Sequence, residues 1–170
     1  VDMSDVEEIE EEEVTAKEDI PESQEQEKAV LEPHNFRIQD NDLGAGGPKA
    51  KYKTNMEAIH LLQTLEKEER LATPEEQEIL SRYVGWGGIP QAFEESNSSW
   101  ANEYLELKNT LSPEEYSAAR ASTLNAFYTS PTVIRSMYEV LENMGLKQGN
   151  ILEPSCGVGN FMGLIPESMG

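Results

Sequence analysis

The residues in this chain best suited to chemistry lie near its C-terminus. Gly149-Asn150-Ile151-Leu152 is a short apolar run after a turn signal and reads as a buried strand. Glu153-Pro154-Ser155-Cys156-Gly157-Val158-Gly159-Asn160-Phe161 follows at once, and Met162, Leu164 and Ile165 could open a helix. A strand, a glycine-rich turn and a helix start make the first unit of a Rossmann-like nucleotide site. Gly157 and Gly159 let the backbone approach a ligand where a side chain would collide. The spacing separates ligand classes. A dinucleotide fingerprint needs G-x-G-x-x-G, but position 162 is Met, and the Gly-Lys-Ser/Thr ending of a P-loop is missing. Glu153, closing the strand, would repel a pyrophosphate. It suits an ammonium group, such as the methionine end of S-adenosylmethionine.

The elements that must position this turn are helical. Met56, Ile59, Leu62 and Leu65 recur at helical spacing, as do Ile79, Leu80, Tyr83 and Val84, and Trp100, Tyr104, Leu107 and Leu111. Residues 113–122 form a weaker stretch with Tyr116 and Ala119. The strongest holds Val133, Ile134, Met137, Tyr138, Leu141 and Met144. Thr73-Pro74-Glu75-Glu76 and Ser112-Pro113-Glu114-Glu115 each spell a capping box with proline at the first helical position. Between them runs Tyr83-Val84-Gly85-Trp86-Gly87-Gly88-Ile89-Pro90. Gly85 can end the preceding helix in a left-handed conformation, and the other glycines let backbone pass close to the Trp86 ring. Trp86 reads as a hydrophobic plug, with a base-stacking platform as the alternative. His60 lies within the first helix and His34 in a connector, neither with a ligand partner at metal-site spacing. No metal site is expected.

Composition sets outer limits. The 170 residues carry 33 acids and 13 bases, a formal net charge of −20. Residues 1–32 alone hold 14 acids against Lys17 and Lys28. That segment cannot bury enough apolar surface to offset its ordering entropy, so it reads as a disordered acidic tail. Residues 33–54 read as a linker, with breakers at Gly44, Gly46, Gly47 and Pro48 and a basic cluster of Lys49, Lys51 and Lys53. These lysines could hold DNA phosphates, but ordinary solvated lysines leading into a helix are the favoured reading. Residues 55–126 read as a helical domain and 127–170 as the start of a cofactor-binding domain. No apolar run approaches the roughly 20 residues of a membrane span, and no signal peptide is spelled. A single cysteine, Cys156, excludes an internal disulfide and reads as a small turn residue. These features point to a cytoplasmic protein. The acidic balance argues against a general nucleic-acid coating protein.

EPSCGVGNF resembles the cofactor-binding motif of N6-adenine DNA methyltransferases. Upstream FYTSP, Phe127 to Pro131, resembles the second cofactor element of their gamma-type order. With NFRIQDNDLGAGGPKAKYKTN, RYVGWGGIPQAF and STLNAFYTSP, residues from about 35 to 170 resemble the large methylase–helicase proteins of conjugative elements and phages. There the methylase region precedes superfamily-two helicase segments. The resemblance implies a mainly α chain whose helical domain leads into the first β-turn-α unit of a Rossmann-like methyltransferase using S-adenosylmethionine. It places the methionine moiety against Gly157 and Gly159, with Glu153 meeting its amino group. Pro154 belongs to the same element, and Phe161 packs near the cofactor. Tyr128, Thr129 and Pro131 close from the other side, with Phe127 behind. Phe127 and Tyr128 equally suit core aromatic positions, and Thr129 or Ser130 an N-cap.

Adenine-N6 transfer in these enzymes uses an Asn/Asp-Pro-Pro-aromatic loop that contacts a flipped base. No two prolines are adjacent in this sequence, and the ribose-binding acid would fall past Gly170. The expected function is therefore a methyltransferase fragment that supplies cofactor-binding elements without the catalytic loop. DNA, and C-terminal methyltransferase and helicase segments, are its implied partners. The alternative is a non-catalytic DNA- or protein-binding module of a helicase or antirestriction protein on a degenerate methyltransferase fold. One parallel strand cannot form a sheet, so Ile151 and Leu152 are expected to lack neighbours.

Overall fold

A computed structural model describes residues 36–169. The acidic segment 1–32 and His34 lie outside the described residues. The described chain is mainly helical, and no strand occurs in it. Helix α1, Pro48–Glu68, starts at the proline after Gly47, whose ring presets the first helical φ. The helix thus begins within the segment read as a linker, and Lys49, Lys51 and Lys53 ride on its first turns. Nothing in K-A-K-Y-K opposes a helix once Pro48 has started one.

Both capping boxes form as spelled. Thr73 opens α2, Pro74–Ser81, and Ser112 opens α4, Pro113–Ser122. In α2, Glu76 accepts from the Thr73 N–H at 2.8 Å while its own N–H donates to the Thr73 hydroxyl at 3.3 Å. The same carboxylate takes a two-pronged Arg70 guanidinium at 2.6 and 2.7 Å, which fastens the end of α1 to the start of α2. Arg70, and then the Thr73 N–H, hold the Glu76 carboxyl down at about 2 against an ordinary 4.5. A lowered folded-state pKa stabilises fully above the ordinary value and fades as pH falls through the lowered one. Glu76→Gln can still cap, so its urea-midpoint deficit is expected at neutral pH and should shrink between pH 4.5 and about 2. A deficit independent of pH would mean that the ion pair contributes nothing.

The first core gathers Tyr52 and Met56 of α1, Trp86, Ile89, Ala92 and Phe93 of the following loop, Trp100, and Leu107 of α3, Ala101–Thr110. Trp86 is 2 % exposed, with Phe93 edge-on at 5.5 Å and Tyr52 at 6.0 Å between ring centroids. It is a plug, not a platform open to a base. Asn55, fully buried on α1, fixes the loop: its amide accepts from the Val84 N–H at 2.9 Å and donates to the Gly85 carbonyl at 2.7 Å. Gly85 is left-handed at φ 71°, but α2 has already ended at Ser81 with Arg82 in the right-handed region. The glycine turns the loop after the helix; it does not cap it.

The second core lies under α5, Pro131–Asn143, where Ile134 and Tyr138 meet Ile38, Leu164 and Met169. Residues 36–43, from the far end of the described chain, cross this region as a strap. The C-terminal run contributes a one-turn helix α6, Asn160–Gly163, and a 3-10 turn, Glu167–Met169. The expected strand at 150–152 is absent. Ile151 is 51 % and Leu152 87 % exposed, and an extended segment with no neighbour has nowhere to send its backbone hydrogen bonds.

Candidate functional site

Tyr128 is the meeting point of the two loops singled out by their glycines. A Cβ on Gly85 would lie 2.7 Å from Tyr128 Cε2, and one on Gly157 would lie 2.7 Å from Cε1. The phenol ring is held between two bare backbones, both left-handed, at φ 71° and 54°. Gly87 serves the same contact: a Cβ there would stand 2.2 Å from the Ala126 carbonyl oxygen. The glycines around Trp86 therefore make room for residues 126–128. Phe127 does not pack behind this contact. It is 68 % exposed, with its ring edge near Gly87 and Gly88.

The remaining cofactor candidates distribute around this contact. Thr129 is exposed, and its carbonyl accepts from the Asn160 side-chain amide at 3.3 Å. Ser130 occupies the N-cap of α5 without a side-chain cap bond, and Pro131, buried, is the first helical residue. Glu153 is half-buried, and its Oε1 accepts from the Ser155 N–H at 3.0 Å. Pro154 is exposed beside it. Cys156 is a free, exposed turn residue whose carbonyl accepts from the Gly159 N–H at 2.8 Å. Phe161, on α6, packs against the second core, and its carbonyl accepts from the Tyr138 hydroxyl at 2.8 Å. Burial, and then the Glu153 charge, push the Tyr138 phenol up, so it stays a neutral donor at ordinary pH. Burial followed by the Tyr128 phenol pushes Tyr83 up likewise.

Gly159 differs from Gly157. It is left-handed at φ 82°, yet a Cβ there would meet nothing within 4 Å. A cleft of about 200 Å³ opens beside it, lined by Phe36, Ile38, Val158, Gly159, Asn160 and Met162 among others. A larger apolar groove of about 590 Å³ runs between α1, α2 and α4, with Ile59, Leu62, Trp86, Leu111 and Tyr128 in its walls.

The lysines stand apart from the glycine turn. Lys49 pairs with Glu103 at 2.5 Å, donates to the Ser99 carbonyl at 2.7 Å and sits 4.1 Å over the Trp100 ring. Lys53 lies 3.7 Å from Glu57, and Lys51 is half-buried. His60 is exposed, with Nε2 at 3.4 Å from the Thr110 hydroxyl. Two of the three cations thus face carboxylates of their own unit, and none of the three lines the cleft at Gly159.

Sequence reasoning missed the strap. NFRIQDND entered only as part of the resemblance, with no role for Phe36, Arg37 or Ile38, and the contacts that give them one span the chain: Arg37 donates to the Ile165 carbonyl, 128 positions away. The one trace is the alternation of Phe36 and Ile38 in an otherwise polar run.

No family model, curated protein or solved structure matches this chain. Among the described residues, no helix is long and apolar enough to cross a membrane.

Proposed function

We propose that this chain supplies the S-adenosylmethionine-binding elements of an adenine-N6 DNA methyltransferase, of the kind found in the methylase–helicase proteins of conjugative elements and phages. One observation carries the reading. FYTSP and EPSCGVGNF, the two elements that the resemblance joins at one cofactor, touch here through Tyr128 on Gly157 and the Thr129 carbonyl on Asn160. The first half of a Rossmann-like unit, the DNA partner, following methyltransferase and helicase segments, and a cytoplasmic setting belong to the same proposal.

The residues fit the cofactor on one physical ground. Gly159 faces open space beside a cleft with mixed apolar and uncharged polar walls, while Glu153 offers a carboxylate at the head of the same turn. Gly157, covered by Tyr128, leaves Gly159 as the closer approach. Gly159, Glu153, Pro154 and Phe161 would hold the cofactor from the turn, with Tyr128 and Thr129 on the facing side; Gly157, under the Tyr128 ring, and Pro131, fully buried, would set the positions of these groups. When bound, it would supply an electrophilic methyl group on a sulfonium. The chain's own residues would bind and orient: Glu153 the ammonium, and the bare glycine backbone a close approach that any side chain would block.

The chain has no adjacent prolines, so binding without transfer is the expected behaviour. With tritiated S-adenosylmethionine, equilibrium dialysis should show saturable binding, while no label enters DNA. Label in N6-methyladenine, or no binding at all, would contradict this division of roles. A second reading, a non-catalytic DNA- or protein-binding module, draws on the apolar row Val133, Met137 and Val140, exposed along α5, and Met144 just past its end.

A further inference from the structure

The strap is more than a connector. Ile38 is buried against Gly163, where a Cβ would stand 2.6 Å from Ile38 Cδ1, and the Ile38 N–H donates to the Gly163 carbonyl at 2.9 Å. Arg135 of α5 donates to the Ile38 carbonyl at 2.8 Å and to the Asn41 side chain at 2.9 Å, and Arg37 donates to the Ile165 carbonyl. These bonds seat residues 36–41 across both α5 and the chain that leaves the glycine turn. Seated there, Phe36 and Ile38 line the cleft together with Ser81 of α2 and with Val158, Gly159, Asn160 and Met162.

We propose that Phe36 is a ligand-binding residue that stacks on the adenine ring of S-adenosylmethionine; the inference rests on the cofactor reading above. The chemistry of the walls selects this half of the ligand. Phe36, Ile38, Val158 and Met162 suit the faces of a flat, uncharged ring, and Ser81 and Asn160 are polar side chains that suit its nitrogen-bearing edge. The resemblance sets the methionine half against Gly157 and Gly159, but its ammonium and carboxylate would meet no charged residue in this cleft, so that half falls on the Glu153 side of the turn. At about 200 Å³, the cleft is below the size that encloses a whole drug-sized ligand, so it takes one ring system and leaves the rest outside. Glu153 is not among the residues lining it and remains available to the charged end. The segment preceding the helical domain thus completes a site whose recognisable motif lies at the other end of the chain.

Two probes separate the halves: S-adenosylhomocysteine, which carries both, and methylthioadenosine, which lacks the amino-acid end. Calorimetric titration of the full chain should show Phe36→Ala weakening both by about ten- to a hundredfold, the loss of one stacked ring. Phe36→Tyr should bind as the original does. Glu153→Gln should weaken S-adenosylhomocysteine alone. Circular dichroism and the melting midpoint report whether F36A keeps its fold. F36W supplies an independent readout, because Trp86 and Trp100 are buried and their emission serves as the background. Its emission should change with methylthioadenosine and saturate with the heat signal. Binding of S-adenosylhomocysteine with F36A unaffected, or a silent F36W, overturns the role of Phe36 and leaves the cofactor reading standing. No binding by the unaltered protein overturns both.

Discussion

Trp86→Ala is expected to destabilise the helical unit by about 3–5 kcal/mol, the usual loss for a large buried aromatic. The indole is 2 % exposed and touches three other aromatic rings: Tyr52, Tyr83 and Phe93. The neighbours are poorly placed to close the gap, because Asn55 fixes the backbone on the N-terminal side of Trp86 through Val84 and Gly85. Domains of this size have about 5–15 kcal/mol in total, so the variant would sit near the edge of folding. Urea unfolding followed by helical circular dichroism measures the difference. A loss below about 1 kcal/mol would show that the ring does little packing, and the base-stacking alternative would return.

The second large effect concerns the contact that joins the two motifs. Gly157→Ala combines left-handed strain of about 1–2 kcal/mol with a collision against Tyr128 of about 1–3 kcal/mol. Gly159→Ala has the strain alone, since its Cβ would meet nothing within 4 Å. The difference between the two variants therefore isolates the ring contact. Removing the ring should relieve it: in a Tyr128→Ala background, Gly157→Ala and Gly159→Ala should cost alike. Equal costs in the original background would mean that Tyr128 does not rest on the turn.

What could be read from the sequence follows a physical division between local and non-local signals. The capping boxes at Thr73 and Ser112 form as spelled because a hydroxyl, a proline and a glutamate within four positions satisfy one another. The amphipathic rows of α1 to α5 were legible for the same reason, except that Tyr83 and Val84, read as helical, lie past the end of α2 at Ser81. The start of α1 was missed because the glycines at 44, 46 and 47 look like loop; Pro48 ends that loop by opening the helix. Ile151 and Leu152 spell a strand, but a strand exists only when a neighbour accepts its hydrogen bonds. Gly85 was read as ending α2 and Gly87 as a close-approach glycine, but Tyr128 and Ala126, which press on them, reach them only in the folded chain. Phe36 was invisible for that reason too. Its partners lie on α5, at Ser81 and beyond residue 157, and nothing in the run around it names them.

The measurement that bears most directly on the cofactor reading is residue-resolved. Nitrogen-15-labelled protein would be titrated with S-adenosylmethionine, and the amide shifts of Tyr128, Thr129, Gly157 and Gly159 followed. Saturable shifts concentrated at these four residues and at Phe36 and Ile38 of the strap are the expected result. A titration that leaves them still, or moves only residues lining the groove at Trp86, would contradict the assignment of this turn to the cofactor.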